Sequence, residues 1–329
     1  FMSLQFIMGN SGSGKSYCLY DTVVREAIEN PVKNYLVIVP EQFTMQTQKD
    51  LCLAHPKGGI MNIDVLSFGR LAYRVFEEVG QDARVVLDDE GKNLVLRKIA
   101  GECEKDLKVF KGNLKKQGYI SEVKSVLSEF AQYGVDFERL DDFMKEVPPE
   151  SYLHYKLDDI RTIYEKFEEY LSEKYITKEE MLDVLSDAVP YSDILKGSVV
   201  AMDGFTGFTP VQNRLIGELF SVCEKVMITV TMDGRENPYV YEHPYQIFAL
   251  GKQMVTSLMK IAGEKKTEIE EPICLFERPV YRFRDCSEMA FLETELFRYS
   301  GAKYNGSCES VSLHEVRSPG KEAKYVAES

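Results

Sequence analysis

A short apolar run near the amino terminus leads directly into a segment that is rich in glycine and ends in lysine and serine. The run is residues 4–8, and the segment comprises Gly9, Asn10, Ser11, Gly12, Ser13, Gly14, Lys15 and Ser16. This pattern, G-x-x-x-x-G-K-S, requires a buried strand before it and a helix after it. Residues 17–28 have the apolar spacing of a helix, so the sequence predicts a strand, a tight loop and a helix.

The residue types of this loop suit an anion that carries many oxygen atoms. Glycines permit positive φ and close approach of the main chain, so that consecutive N–H groups point inward where the helix dipole also favours negative charge. Lys15 would reach the β- and γ-phosphate oxygens, and the Ser16 hydroxyl would bind Mg²⁺. We therefore predict a P-loop, residues 9–16, with ATP and Mg²⁺ as ligands. A glycine-rich turn with an incidental lysine is the alternative.

Composition narrows the class of protein. A net charge of −13 argues against a surface uniformly covered by nucleic acid, although a local basic groove remains compatible with it. The seven cysteines lack C-x-x-C spacing, which gives little support for a metal or iron–sulfur site and suits reduced thiols. No apolar run approaches the roughly 18 residues that span a bilayer. We predict a cytoplasmic protein with no membrane partner.

Five short apolar runs, none of them alternating, predict a parallel sheet that is covered on both faces: residues 4–8, 35–39, 63–66, 198–202 and 225–231. The predicted fold class is therefore α/β. Helical spacing at residues 120–130 and 157–171, and a capping box that begins at Thr177, predict a helical insertion between the third and fourth strands. The predicted division is 1–78 and 196–275 for the sheet domain, 79–195 for the insertion, and 276–329 for the start of a second domain. In that last part we predict strands at 279–283 and 311–316, a helix at 288–299, and a helix from 321 that the chain end truncates.

Asp203 is the candidate for a second Mg²⁺ ligand, because a P-loop ATPase needs a carboxylate at the end of a neighbouring strand. It follows the apolar run 198–202, and the next residue is Gly204, which cannot act as a base. The alternative is that Asp203 caps the helix that begins near Pro210.

Several segments resemble one known family. They are the P-loop, then Val-Pro-Glu-Gln-Phe-Thr at 39–44, then residues 65–72, then Met-Asp-Gly-Phe-Thr-Gly-Phe-Thr-Pro at 202–210. In this order they are similar to the N-terminal region of AddB, also called RexB, the B subunits of bacterial AddAB helicase–nucleases. Residues 311–315 and 322–326 are similar to the opening of the second motor-like domain of superfamily 1 helicases.

The resemblance implies a RecA-like domain interrupted by a helical insertion, as in superfamily 1 helicases. It implies a role in processing DNA double-strand breaks for recombinational repair, with DNA and the motor A subunit as partners and a part in recognising the recombination hotspot. In this family a C-terminal nuclease domain carries an iron–sulfur cluster. That domain is expected outside this chain, so no nuclease activity is expected from it.

The sequence also departs from an active helicase. Where a superfamily 1 motor has D-E followed by Q-D, this chain has Asp203-Gly204 and Thr206-Gly207, and no G-D-x-x-Q follows residues 226–230. We therefore predict ATP binding with weak or no hydrolysis, assign no catalytic residue, and leave open whether this chain is an enzyme. Two rivals remain open: a scaffold with a vestigial P-loop, and a P-loop kinase of a small molecule.

DNA contacts are predicted after the third strand, at Ser67, Phe68, Arg70, Tyr73 and Arg74. Hydroxyl, cationic and aromatic side chains together grip phosphates and stack on bases. The alternative is that Phe68 belongs to the core and that the two arginines are merely solvated. A second candidate patch combines Phe110 and Tyr119 with five lysines, which are Lys105, Lys108, Lys111, Lys115 and Lys116.

Overall fold

The structure, a computed structural model, describes residues 2–80, 85–113, 116–171 and 174–329. Lys115, one of the candidate lysines, lies outside these ranges. The described strands are β1 Ser3–Gly9, β2 Tyr35–Ile38, β3 Ile63–Leu66, β4 Val85–Leu87, β5 Tyr175–Thr177, β6 Val199–Met202, β7 Lys225–Thr231, β8 Glu268–Ile269 and β9 Ile273–Leu275. The described α-helices are α1 Lys15–Glu29, α2 Thr44–Ala54, α3 Phe68–Val79, α4 Asp89–Glu102, α5 Gln117–Tyr133, α6 Phe137–Glu146, α7 Tyr152–Leu171, α8 Lys178–Ala188, α9 Pro210–Val222, α10 Ala249–Lys265, α11 Ser287–Glu295 and α12 Pro319–Glu328.

Seven strands form one parallel sheet in the order β3-β2-β6-β7-β1-β8, with β9 also paired to β1. All five strands predicted for the sheet are present, and the predicted α/β class with a parallel sheet is confirmed. Successive residues of β1 face opposite sides, and both sides are apolar. Phe6 and Met8 join one core, and Ile7 joins the other with Leu19 and Val23 of α1. Burial on both faces explains why these strands are apolar throughout.

The register brings several loops to one edge of the sheet. Gly9 at the end of β1 lies opposite Thr231 of β7, and Met202 of β6 lies opposite Ile228 of β7 and Ile38 of β2. Because parallel strands end at the same edge, the residues after β1, β2, β3, β6 and β7 lie close together there. Ligands of open α/β sheets bind at this carboxyl edge.

The chain between β3 and β6 is mainly helical, as predicted. Helices α4 to α7 enclose their own apolar core, which includes Leu96, Ile120, Ile160 and Phe167. The predicted capping box is present, since Thr177 and Glu180 exchange hydrogen bonds at the start of α8. The buried apolar residues of α8, however, join the core that covers the sheet.

Two strands predicted in the last part of the chain are wrong. Residues 281–283 form a short 3₁₀ helix, and residues 311–316 have no regular structure. Val280 is buried but belongs to none of the described strands, and Leu313 is fully exposed. The helix predicted at 288–299 is present as α11 and ends at Glu295, and the last predicted helix is α12. Among the described helices, none is long and apolar enough to cross a membrane.

Candidate functional site

Residues 9–16, the glycine-rich loop, connect β1 to α1. Gly12 and Gly14 adopt φ of 83° and 93°, the left-handed region that favours glycine. The Lys15 ammonium donates hydrogen bonds to the carbonyl oxygens of Gly9 (3.0 Å) and Asn10 (2.8 Å). The loop therefore wraps around the lysine at the amino-terminal end of α1.

Two side chains of the loop have buried atoms that lack a hydrogen-bond partner within the described ranges. They are Oγ of Ser13 and Oδ1 of Asn10, and Asn10 is only 1 % exposed. Buried polar atoms in native proteins are nearly always paired, so each of these two atoms needs a partner from outside the described residues. The Ser13 hydroxyl can donate to a phosphate oxygen. Ser13 therefore fits a bound phosphate chain, whereas Oδ1 of Asn10 is an acceptor and needs a donor.

The charges around the loop also suit an anionic ligand. Burial lowers the pKa of Lys15 to about 8, the nearby Asp203 carboxylate opposes this, and the charge of Arg282 adds to it. Arg282 is exposed, and its main-chain N–H donates to the Gly12 carbonyl at 3.1 Å. No ion pair to an acid is found for Arg282 among the described residues. Two basic side chains, Lys15 and Arg282, thus belong to or adjoin the glycine-rich loop.

Asp203 lies at the end of β6, as predicted, and both carboxylate oxygens accept hydrogen bonds from hydroxyls. Tyr20 of α1 donates to Oδ2 at 2.8 Å, and Thr229 of β7 donates to Oδ1 at 2.6 Å. The alternative that Asp203 caps the following helix is wrong, because Thr209 caps α9 through a capping box with Gln212. Within residues 2–80, 85–113, 116–171 and 174–329, no group of three or more His, Cys, Asp or Glu side chains could hold a metal ion.

A second segment packs against the glycine-rich loop. Residues 278–298, the C-terminal segment, contain Glu293, which accepts a 2.9 Å hydrogen bond from Nδ2 of Asn10. The other oxygen of Glu293 accepts from Arg278 at 2.7 Å, and the same guanidinium also donates to Asp233 at 2.8 Å. The loop is thereby connected to Asp233, the second residue after β7.

Asp233 is the centre of this contact. Its side chain is 3 % exposed, and it pairs with Arg235 at 2.7 Å, Arg278 at 2.8 Å and Arg298 at 2.9 Å. Burial alone would raise its pKa, but the hydrogen bonds and charge of Arg235, with the charge of Arg278, hold it well below the usual range. Asp233 is therefore a carboxylate that anchors three guanidinium groups, two of them from the C-terminal segment.

A cavity of about 860 Å³ lies at the same edge of the sheet, beyond β2 and β3. Four of the five predicted DNA-binding residues line it, namely Ser67, Phe68, Arg70 and Tyr73. Arg70 pairs with Glu41 at 3.2 Å, with both side chains more than half exposed, and Tyr73 is 55 % exposed. The structure therefore brings an exposed cation and an exposed aromatic ring to the mouth of one cavity.

The other predicted DNA contacts have different surroundings. Phe68 is 7 % exposed and packs against Phe205 and Phe208, so its ring forms part of the core and of the cavity wall, as the alternative interpretation held. Ser67 caps α3 by accepting from the Arg70 amide. Arg74 does not line the cavity and pairs with Asp64 at 2.9 Å.

Sequence reasoning missed several residues of this region. Tyr20 and Thr229 hold Asp203, Arg282 and Glu293 contact the glycine-rich loop, and Gln132 and Gln212 line the cavity. Glu293 and Asn10 are 283 positions apart, and no local pattern signals a pairing of that kind. Only the glutamine of the capping box at Thr209 could have been found from sequence.

The sheet and the loop together define a parallel α/β protein whose first strand and helix are joined by a glycine-rich loop of the G-x-x-x-x-G-K-S type. The chain belongs to the family described as ADDB, N-terminal, whose model matches residues 6–293. The resemblance identified from the sequence segments is therefore confirmed.

The names of the similar curated proteins are consistent with this family assignment. The chain is 42 % identical over 329 residues to the B subunit of the ATP-dependent helicase/deoxyribonuclease of Lachnoclostridium phytofermentans, and the match covers 99 % of this chain and 28 % of the relative. The proteins of the same name from Clostridium tetani and a Thermoanaerobacter species are 32 % identical over 328 residues and 35 % identical over 317 residues. These matches cover 99 % and 96 % of this chain, and 28 % and 27 % of the relatives. The chain thus spans between a quarter and a third of the length of these relatives.

Proposed function

We propose that this chain is the nucleotide-binding and DNA-engaging part of a helicase/deoxyribonuclease B subunit that acts in double-strand-break repair. Its sheet domain is RecA-like, and the glycine-rich loop binds the phosphates of ATP. The observation that carries the proposal is the loop geometry: left-handed Gly12 and Gly14, Lys15 at the start of α1, and a buried Ser13 hydroxyl without a protein partner. An amino-terminal helix end with these groups is a site for a polyphosphate.

We propose that Mg²⁺ binds together with the nucleotide. Mg²⁺ usually takes few protein ligands beside phosphate oxygens and water. Ser16 at the start of α1 and Asp203 across the sheet edge are the residues that would hold it. When bound, the ion neutralises charge on the phosphate chain.

Hydrolysis is proposed to be weak or absent. Gly204 follows Asp203 where an active ATPase has a glutamate, and its φ is +79°, a conformation that strains any other residue. A Cβ at this position would lie 3.5 Å from Pro40 Cδ and 3.7 Å from the Phe43 ring, which is ordinary contact, so the obstacle is the main-chain conformation. The main chain at this position therefore disfavours the base that ATP hydrolysis requires.

The cavity beyond β2 and β3 is proposed to take single-stranded DNA. The Tyr73 ring can stack on a base, and the Arg70 guanidinium can bind a phosphate. The side-chain amides of Gln132 and Gln212 can hydrogen-bond base edges. The names of the relatives describe one component of a helicase/deoxyribonuclease, so we propose an A subunit as partner.

Isothermal titration calorimetry of the 329-residue chain with ATP and Mg²⁺ tests the central proposal. We expect saturable binding that Lys15→Ala abolishes, and thermal stabilisation that grows with nucleotide concentration. Absence of binding would favour the scaffold with a vestigial P-loop. Turnover of ATP that depends on a small-molecule acceptor would favour a kinase.

A further inference from the structure

Glu293 lies close enough to the glycine-rich loop for its negative charge to repel the phosphates of a bound nucleotide. Its Oε1 accepts from Asn10, the second residue of the glycine-rich loop, and the Asn10 carbonyl in turn accepts from Lys15. The Glu293 side chain is only 14 % exposed, so bulk water screens its charge weakly. Among the described residues, it is the one carboxylate that hydrogen-bonds a side chain of this loop.

Other charges also act on this region, and the Arg282 cation lies beside the loop, but its side chain is exposed and water screens it. Asp203 accepts from the hydroxyls of Tyr20 and Thr229, and Asp233 is enclosed by three arginines. Arg278 pairs with Glu293, but the same guanidinium also serves Asp233. Glu293 therefore shares its cation, and part of its negative charge faces the loop.

We propose that Glu293 is a specificity-determining residue that sets nucleotide affinity according to the number of phosphates. The inference rests on the proposed function, since it concerns the same loop. A polyphosphate on the loop repels the carboxylate, so each further negative charge weakens the Asn10–Glu293 contact. Because such coupling is reciprocal, the docked carboxylate lowers the affinity of the loop for the ligand by the same factor.

The contact also connects the loop to the C-terminal segment. When Asn10 leaves Glu293, the carboxylate stays with Arg278, and Arg278 stays with Asp233. The segment therefore remains anchored while α11, which carries Glu293, loses one contact to the loop. Nucleotide binding is expected to loosen α11 without releasing residues 278–298.

Glu293→Gln is the test variant, because glutamine keeps one oxygen that can accept from Asn10 and removes the charge. It also gives up the second oxygen, which accepts from Arg278, so the comparison of AMP, ADP and ATP is what separates the charge effect from the loss of that hydrogen bond. Binding of AMP, ADP and ATP is measured by calorimetry for the wild type, for Glu293→Gln and for the control Glu295→Gln on the same helix. We expect the Kd for ATP to fall about tenfold in Glu293→Gln, that for ADP about threefold, and that for AMP by less than about twofold. Glu295→Gln should bind all three as the wild type does.

A merely structural role would change the three affinities alike, and that result would overturn the inference. Equal affinities of wild type and Glu293→Gln would overturn it as well and leave the proposed function intact. If the wild type bound no nucleotide, the proposed function would fail and the inference with it. Hydrogen exchange adds an independent readout: ATP should speed exchange in residues 287–295 of the wild type and not in Glu293→Gln, and unchanged exchange in the wild type would contradict the proposal.

Discussion

The hydroxyl of Tyr20 donates a 2.8 Å hydrogen bond to Oδ2 of Asp203 and lies 3.2 Å from Oγ1 of Thr47. Burial, and then the Asp203 carboxylate, raise the pKa of Tyr20 well above its usual range, so the phenol stays protonated and remains a donor. The first helix is thus fastened to the end of β6 by a side chain that the glycine-rich motif does not include.

We expect Tyr20→Phe to lower the free energy of unfolding by about 1–3 kcal/mol, because it leaves a buried carboxylate oxygen without a donor. Urea denaturation followed by far-ultraviolet circular dichroism measures the change. The matched control is Tyr17→Phe on the same helix, where the side chain is 74 % exposed. Equal effects at the two positions would show that the hydrogen bond to Asp203 contributes nothing.

The strands of the sheet could be predicted because each is a short apolar run that is buried on both faces. Strands β8 and β9 could not, since they have only two and three residues, none of them buried, and they pair with β1 at the end of the sheet order. Residues 279–283 resemble a strand in composition, but a strand also needs a neighbour, and sequence patterns do not show one.

Some parts of the candidate site could likewise be predicted from the sequence, and others could not. The glycine-rich loop could be predicted because main-chain geometry at Gly12 and Gly14 depends on residue type. Phe68 could not be assigned, because an aromatic residue on an amphipathic helix fits both the core and a stacking surface. Its burial was settled by Phe205 and Phe208, which lie far along the chain.

We expect the free energy of unfolding to depend on pH because of Glu168 in α7. It lines a small cavity with Lys92, Lys124 and Glu179, and burial, followed by the charge of Glu180, raises its pKa from 4.5 to about 7. The folded chain therefore holds this proton more tightly than the unfolded chain does. Stability from this group is present below about pH 4.5 and is lost as the pH rises to about 7.

Glu168→Gln should consequently stabilise the protein by about 1–2 kcal/mol at pH 8 and have little effect at pH 5, after allowance for solvent screening. Urea denaturation at both pH values measures this difference. The exposed neighbour Glu169 supplies the control, because Glu169→Gln should change the unfolding free energy by less than about 0.5 kcal/mol at either pH. A Glu168→Gln effect of the same size at pH 5 and pH 8 would contradict the assignment.

Asp159 organises the lysine-rich part of the insertion. It is 2 % exposed and accepts from the amides of Lys108 (2.8 Å), Val109 (2.7 Å) and Phe110 (2.8 Å). Asp159→Ala leaves three amides without this partner and should cost about 2–4 kcal/mol, measured by urea denaturation. Asp158→Ala removes only an exposed ion pair with Lys108 and should cost less than about 1 kcal/mol. Similar costs for the two variants would rule out a special role for Asp159.

Arg70 and Arg74, the two arginines that follow β3, allow a test of the proposed DNA site, and the structure is needed to tell their surroundings apart. Both were predicted to contact DNA, but Arg70 lines the cavity and Arg74 pairs with Asp64 outside its lining. Binding of a single-stranded oligonucleotide is measured by fluorescence anisotropy over a range of salt concentrations. Arg70→Ala should reduce the slope of log K against log salt by about 0.7, since one phosphate contact and its released counterion are lost.

Arg74→Ala is expected to leave that slope unchanged, which makes it the control for loss of net charge. Tyr73→Ala should weaken binding by about 1–3 kcal/mol with an unchanged slope, because a stacked base is lost and no phosphate contact is. If Arg74→Ala lowered the slope as much as Arg70→Ala did, the effect would reflect overall charge. The DNA would then have to bind elsewhere than in the cavity beyond β2 and β3.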